Sequence, residues 1–240
     1  MIRSEPNSYS ERWFEFFHVD IPETRTTQEI DFICACAPLP DFRRILDVCC
    51  GMGRHARALT SRGYSVTGIE RDVAAIARAR ELAAGPNYIQ ADIRDYRPDL
   101  CAFDAAIVMS QSFGYFDDET NRDLLKRLAM GLREGGRVIV DLWNPEFFAI
   151  HQGKRELDLP HGIVRETKRI EGGRLFVHLD YPDGSSDNFD WQLFTPAEMN
   201  SLGDSIGLEV IASCTDFDRA AEPSPAKPRL QFVLERRAGG

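Results

Sequence analysis

No stretch of this sequence approaches the roughly 18 consecutive apolar residues that a bilayer-spanning helix requires, so no membrane partner is expected. The opening residues, MIRSEPNSYSERWFEFF, hold neither an uninterrupted apolar core nor a small-residue cleavage site, which speaks against a secretory leader. Positive charge is also in short supply. The 29 Lys and Arg stand against 38 Asp and Glu, a net charge of −9, and the basic residues are interleaved with acidic ones rather than gathered in a run. A protein that tracks a phosphate backbone is therefore excluded, and no nucleic-acid partner is expected. Cysteine is present six times but in the wrong pattern for a metal. Cys34 with Cys36 and Cys49 with Cys50 are too close for ordinary bridges, and neither pair is followed by His or Cys at zinc-ligand spacing. The expectation is no metal, and free thiols in a reducing cytoplasm.

What the chain does have is apolar mass. Of its 240 residues 43% are hydrophobic and 10% aromatic, too many for disorder and enough for one well-buried domain carrying at most a modest insertion. From residue 42 short apolar runs alternate with helical stretches. Strands are expected at 45–49, 64–70, 88–91, 103–109 and 138–142, with helices at 54–62, 73–84 and 119–132 between them. Strict alternation means βαβ units and a parallel sheet covered on both faces. The pattern then changes. Three alternating runs, 163–170, 174–181 and 188–194, are separated by Gly172-Gly173 and by Pro182-Asp183-Gly184, the signature of hairpins. Thr195-Pro196-Ala197-Glu198 then reads as a capping box, opening a helix that ends at Gly207. Strands at 208–214 and 229–237 close the chain. The loop that joins them is rich in proline and offers no crossover helix, so the last strand should run antiparallel to its neighbour.

The strongest local signal lies at the first strand-to-helix turn, Asp47-Val48-Cys49-Cys50-Gly51-Met52-Gly53-Arg54-His55. Two glycines there allow a sharp turn and the close approach of a ligand. Gly51-x-Gly53-x-x-Ala56 also fits a dinucleotide fingerprint, with Glu70 at the distance needed to grip a ribose. Three features favour another cofactor. Asp47 would repel a pyrophosphate at the helix terminus but suits an ammonium or sulfonium. Asp92 follows the third strand, where a carboxylate can accept from an adenine amino group. The antiparallel last strand is foreign to the NAD fold.

Together these residues resemble the class I S-adenosylmethionine (SAM) methyltransferases. DVCCGMGRH is similar to that family's first motif, D-x-G-C-G-x-G, with Cys49 where the first glycine usually stands. Residues 103–116 (FDAAIVMSQSFGYF) resemble its fourth-strand motif, and 132–144 (LREGGRVIVDLWN) its fifth. The resemblance implies an α/β fold: a seven-stranded Rossmann-like sheet in the order 3-2-1-4-5-7-6, last strand antiparallel, with an antiparallel β insertion before strand six. It implies SAM as cofactor, leaving S-adenosylhomocysteine. Asp47, Cys50, Gly51, Gly53, Glu70, Arg71, Asp92, Ile93, Met109 and Ser110 would line its site. Tyr9, on an N-terminal lid, would reach its carboxylate.

The domain boundaries expected are 1–40 for a helical lid, 41–150 with 195–240 for the core, and 151–194 for the insertion. Trp13, Phe17, Phe113, Phe116 and Trp191 are the candidate acceptor pocket, and His55 and Tyr115 the candidate catalytic groups. His18 and His151 are weaker candidates for a base. Metal-assisted catechol methylation is rejected, because Ser110 and Gln111 stand where that mechanism needs an acid. The arrangement of lid, core and insertion is similar to that of small-molecule N-methyltransferases, notably those acting on amino sugars or related amines, with glycine- and sarcosine-type enzymes nearby. Three alternatives stay open: O-methylation, an NAD-dependent oxidoreductase, and a SAM-binding protein without activity. The partner expected is a small molecule, with a homodimer also open.

Overall fold

The computed structural model describes residues 7, 9–18, 21–82 and 84–239. Part of the expected lid, residues 1–6, 8, 19 and 20 and the His18 side chain, lies outside the described residues. Ser10 accepts a hydrogen bond from the Trp13 N–H and starts a single turn, α1 (Glu11–Trp13), that runs into a wider turn over Phe14–His18. The first long helix is α2 (Glu23–Cys36). It buries Ile30, Phe32, Ile33 and Cys36 against the sheet, so it belongs to the core rather than to a cover over it.

The alternating segment then forms β1 (Arg44–Val48), α3 (Arg54–Ser61), β2 (Ser65–Glu70), α4 (Val73–Leu82), β3 (Asn87–Gln90), β4 (Phe103–Val108), α5 (Asp118–Gly131) and β5 (Leu132–Trp143). Next come α6 (Pro145–Ile150) and four strands, β6 (Gly153–Leu159), β7 (Gly162–Glu171), β8 (Arg174–Asp180) and β9 (Ser186–Gln192). The chain ends with α7 (Pro196–Asp204), β10 (Leu208–Cys214) and β11 (Arg229–Arg236). The capping box expected at Thr195 and Glu198 is present.

Seven strands make one sheet in the order β10-β11-β5-β4-β1-β2-β3, with β11 antiparallel to both neighbours, and four make a separate antiparallel sheet, β6-β7-β8-β9. The expected fold class is borne out. Two details differ from the sequence reading. β5 begins at Leu132 rather than 138, absorbing Gly135-Gly136 as an irregularity between its pairings Phe103↔Leu132 and Ala105↔Arg137. The insertion also has a fourth strand, β6, whose residues GKRELDL are mostly exposed and carry no apolar alternation to betray them. Three apolar clusters result: one on each face of the large sheet, and a third, largely aromatic, between the small sheet and the N-terminal segment. Trp143, at the end of β5, and Tyr115, in the loop after β4, pack against that third cluster.

Candidate functional site

The turn after β1 is built from left-handed residues. Cys49, Gly51 and Gly53 have φ of 58°, 53° and 75°. A Cβ on Gly53 would sit 2.1 Å from the Tyr88 hydroxyl, so only glycine fits there, whereas a Cβ on Gly51 would meet nothing within 4 Å. The turn is thus packed tightly beneath and open above. Glu70, at the end of β2, braces it: its carboxylate accepts from the N–H groups of Gly51 (3.1 Å), Arg71 (2.8 Å) and Asp72 (3.0 Å). One strand further on, Asp92 is forked by Arg94 at 3.0 and 2.6 Å, which holds its carboxyl below the usual range. Ile93 is buried in the core beside Leu46 and Val48.

Asp47 is 1% exposed, and among the described residues its Oδ2 has no hydrogen-bond partner. Burial pushes its carboxyl up to about 7, against the pull of Arg54. A buried carboxylate oxygen without a hydrogen-bond partner is unfavourable and calls for a further cation or a donor. This orphaned acid, the open face over Gly51 and the carboxylates of Glu70 and Asp92 fit a cationic, ribose-bearing cofactor such as SAM.

Behind the turn lies a buried ionic network. Glu29, fully buried on α2, accepts from Arg54 (2.6 Å), His55 Nε2 (2.9 Å), Arg25 (3.1 Å) and Arg229 (3.3 Å). Arg229 also pairs with Asp141, which in turn accepts from Gln231 Nε2 (2.8 Å), Gln111 Nε2 (2.6 Å) and the Ser110 N–H (3.1 Å). Ser110 and Gln111, at φ of 54° and 59°, are therefore held in place through Asp141, and Met109 is buried just before them. His55 lies on the inward face of α3 with Ala56 and Leu59. Burial lowers its pKa, so the ring stays neutral and its Nε2 is occupied by Glu29. The sequence reading set His55 beside the glycine turn as a base; the fold turns it away, into the α2–α3 contact.

Above the turn the aromatic residues gather. Tyr9 packs on Trp13 (4.2 Å between ring centres), Phe189 (5.1 Å) and the edge of Tyr115 (6.2 Å), and Phe17 stacks on Trp13 at 6.1 Å. Tyr115 lies 5.4 Å from Trp191, whose indole N–H donates to the Gln111 carbonyl at 3.0 Å. The Tyr115 hydroxyl is buried with no partner among the described residues, and burial drives its pKa upward, so it remains a phenol. Tyr9, Trp13, Phe17, Tyr115 and Trp191 are thus brought together. Phe113 is not: it is 2% exposed in the core, 5.5 Å from Phe194. Phe116 packs against the Arg94 guanidinium, on the Asp92 side. Arg71 reaches instead to the carbonyl of Asn7. Sequence reasoning missed Trp143, Phe189, Glu29 and Arg229. Of these only Trp143, the last residue of an apolar strand, stood where a crevice was already expected.

Residues 45–136 match the model of a methyltransferase domain. A glycine/sarcosine N-methyltransferase from Aphanothece halophytica is 22% identical over 218 residues, covering 87% of this chain and 81% of that one. The dTDP-3-amino-3,6-dideoxy-alpha-D-glucopyranose N,N-dimethyltransferase of Streptomyces fradiae is 34% identical over 113 residues, covering 45% of this chain and 43% of that one. Among solved structures, a SAM-bound amino pentose methyltransferase from Micromonospora echinaspora superposes with a TM-score of 0.72 at 21% identity, covering 97% of this chain and 100% of that one. With the matched methyltransferase domain at its centre and the complete seven-stranded sheet around it, the chain has the fold of the class I SAM-dependent methyltransferases and carries a methyltransferase domain.

Proposed function

We propose that the chain methylates an amine nitrogen of a small molecule. The observation that carries this reading is the buried Tyr115 hydroxyl above the donor crevice. Burial keeps it protonated, so it can accept a hydrogen bond from an amine N–H but cannot strip a proton from an alcohol. A neutral amine needs no base, whereas a hydroxyl acceptor usually does. His55, the other candidate base, is bound to Glu29. The relatives named for N-methylation, one acting on glycine and sarcosine and one on an amino sugar, agree with this choice.

When bound, SAM supplies an activated methyl carbon for in-line displacement. The chain's own residues hold and shield. In this reading Glu70 grips the ribose hydroxyls, Asp92 and Ile93 receive the adenine, and Asp47 with the Cys50–Gly53 backbone faces the cationic end. Arg71, Met109 and Ser110 complete that wall. The described N-terminal residues 9–17, rather than all of 1–40, act as the cover. Tyr9, Trp13 and Phe17, closing on Trp191, exclude water and align the acceptor, the contribution that matters most when the donor is already activated. The six thiols are free, which suits a reducing cytoplasm.

The test is methyl transfer from labelled SAM across amines, amino sugars, alcohols and phenols. Incorporation into amines is expected; labelling of phenols or alcohols alone would overturn the reading. Calorimetry with S-adenosylhomocysteine and NAD checks the donor site, with Glu70→Ala expected to weaken the former at least tenfold, about the value of a charge-assisted hydrogen bond.

A further inference from the structure

Trp143 ends β5 at the level of the loop after β4. Val140 pairs with Val108, so Trp143 and Gln111 each stand three residues beyond that pair. Asp141, two residues earlier and on the same face of the strand, is the side chain that holds Ser110 and Gln111. The Trp143 indole packs edge-on against Phe148 at 5.3 Å and against Trp191 at 6.0 Å. Its Nε1 is buried and, among the described residues, has no acceptor. Tyr115 packs on the same Trp191, and its hydroxyl is in the same condition. The nearby N–H of Trp191 is already committed to the Gln111 carbonyl. Buried tryptophan N–H groups in native proteins nearly always find a partner, and phenylalanine would fill the same space without needing one.

We infer that the indole N–H of Trp143 is a hydrogen-bond donor to the methyl acceptor, and that the acceptor carries an oxygen, a hydroxyl or ring ether, near its reacting amine. The inference rests on the amine reading above and deepens it. Indole is a donor only. Placed on the reacting nitrogen it would occupy the lone pair that must attack the methyl carbon, so it serves a different atom. Tyr115 can accept from the amine N–H and leave that lone pair free. The two orphaned groups thus divide one substrate between them. This selects a hydroxylated amine over a simple alkylamine.

The experiment uses the full chain with a methyl aminoglycoside and its analogue lacking the hydroxyl beside the amine. Wild type is expected to favour the hydroxylated amine about tenfold in kcat/KM, the scale of one neutral hydrogen bond in a dry site. Trp143→Phe should abolish that preference by raising KM for the hydroxylated amine about tenfold, with S-adenosylhomocysteine affinity unchanged. Equal losses on both substrates, or a preserved preference, would overturn the assignment. Should the variant fail to fold, the wild-type protein labelled with 15N-tryptophan gives the same answer. The Trp143 indole proton should shift downfield with the hydroxylated amine and not with its analogue; no shift refutes the contact. If wild type methylates no amine but does methylate phenols, the amine reading fails, and the indole shift with a phenol then judges the contact separately.

Discussion

Asp47 links the chemistry of one side chain to the pH behaviour of the whole site. Burial raises its carboxyl to about 7, far above the value of an unfolded aspartate. The sign follows from the linkage. A group whose folded pKa is raised contributes stability that is present below the unfolded value, near 4, and is lost as pH rises through about 7. The ligand-free protein should therefore lose stability between about pH 4 and pH 7 at this residue, and Asp47→Asn should remove that slope in urea titrations. A cationic cofactor favours the ionised form. SAM affinity should then fall about tenfold from pH 7.5 to pH 6, with proton release seen by calorimetry in buffers of different ionisation heat. A flat profile would mean that Asp47 does not face the cation. Cys49, at φ 58°, offers a second residue-scale test. Cys49→Gly relieves a left-handed side chain and should raise unfolding free energy by about 1 kcal/mol, as read from the urea midpoint.

The glycines, Asp47, Glu70 and Asp92 were legible because each stands at a strand end, where spacing alone places it. His55 misled because adjacency to the glycine turn said nothing of direction; the burial of His55, Ala56 and Leu59 together on α3 shows that the helical period turns it inward. Glu29 and Arg229 were invisible for another reason. They meet across 200 positions, and no local pattern records such a contact.

At the scale of elements, two buried carboxylates fix the parts that frame the site. Glu29 joins α2, α3 and β11. Burial alone would raise its pKa, but His55, Arg54 and Arg229 hold it well below the usual carboxylate range, so its contribution is present above about pH 4.5 and lost as pH falls. Glu29→Ala would leave Arg54 without its buried partner and Arg229 with Asp141 alone, and should cost about 3–5 kcal/mol in chemical unfolding. Asp187 does the same for the N-terminal segment. It is 1% exposed and accepts from Ser10 Oγ (2.5 Å) and Tyr181 Oη (2.8 Å), tying α1 to β8 and β9. Asp187→Ala should lower the midpoint and expose the 9–17 segment to proteases; unchanged digestion would show that the aromatic contacts alone retain it. Elements with periodic apolar faces were readable in advance. β6 was not, since an exposed edge strand is kept polar and charged, which erases the alternation that marks a strand.

On the scale of the whole molecule, the donor and acceptor sides belong to different cores. Asp47, Glu70 and the glycine turn stand over the clusters that flank the seven-stranded sheet, whereas the aromatic cover packs with the inner face of the small sheet. Phe189 is central to the latter: it is 3% exposed and touches Tyr9, Trp13 and Trp191. Phe189→Ala should cost about 3–5 kcal/mol if all of it is felt globally, since a large buried ring is removed. The division of cores predicts a local loss instead. Amide exchange should quicken in β7, β8 and β9 and in residues 9–17, while β1, β4 and β5 keep their protection. S-adenosylhomocysteine affinity should stay within about twofold, because Asp47, Glu70 and the glycine turn stand over clusters other than the one that holds Phe189, and distant sites behave additively. The acceptor KM should rise by an order of magnitude or more through loss of the enclosing wall. Equal loss of protection in β4 and β5, together with loss of S-adenosylhomocysteine binding, would mean that the two sheets open as one unit. Acceptor choice could then not change in the insertion without disturbing the donor site.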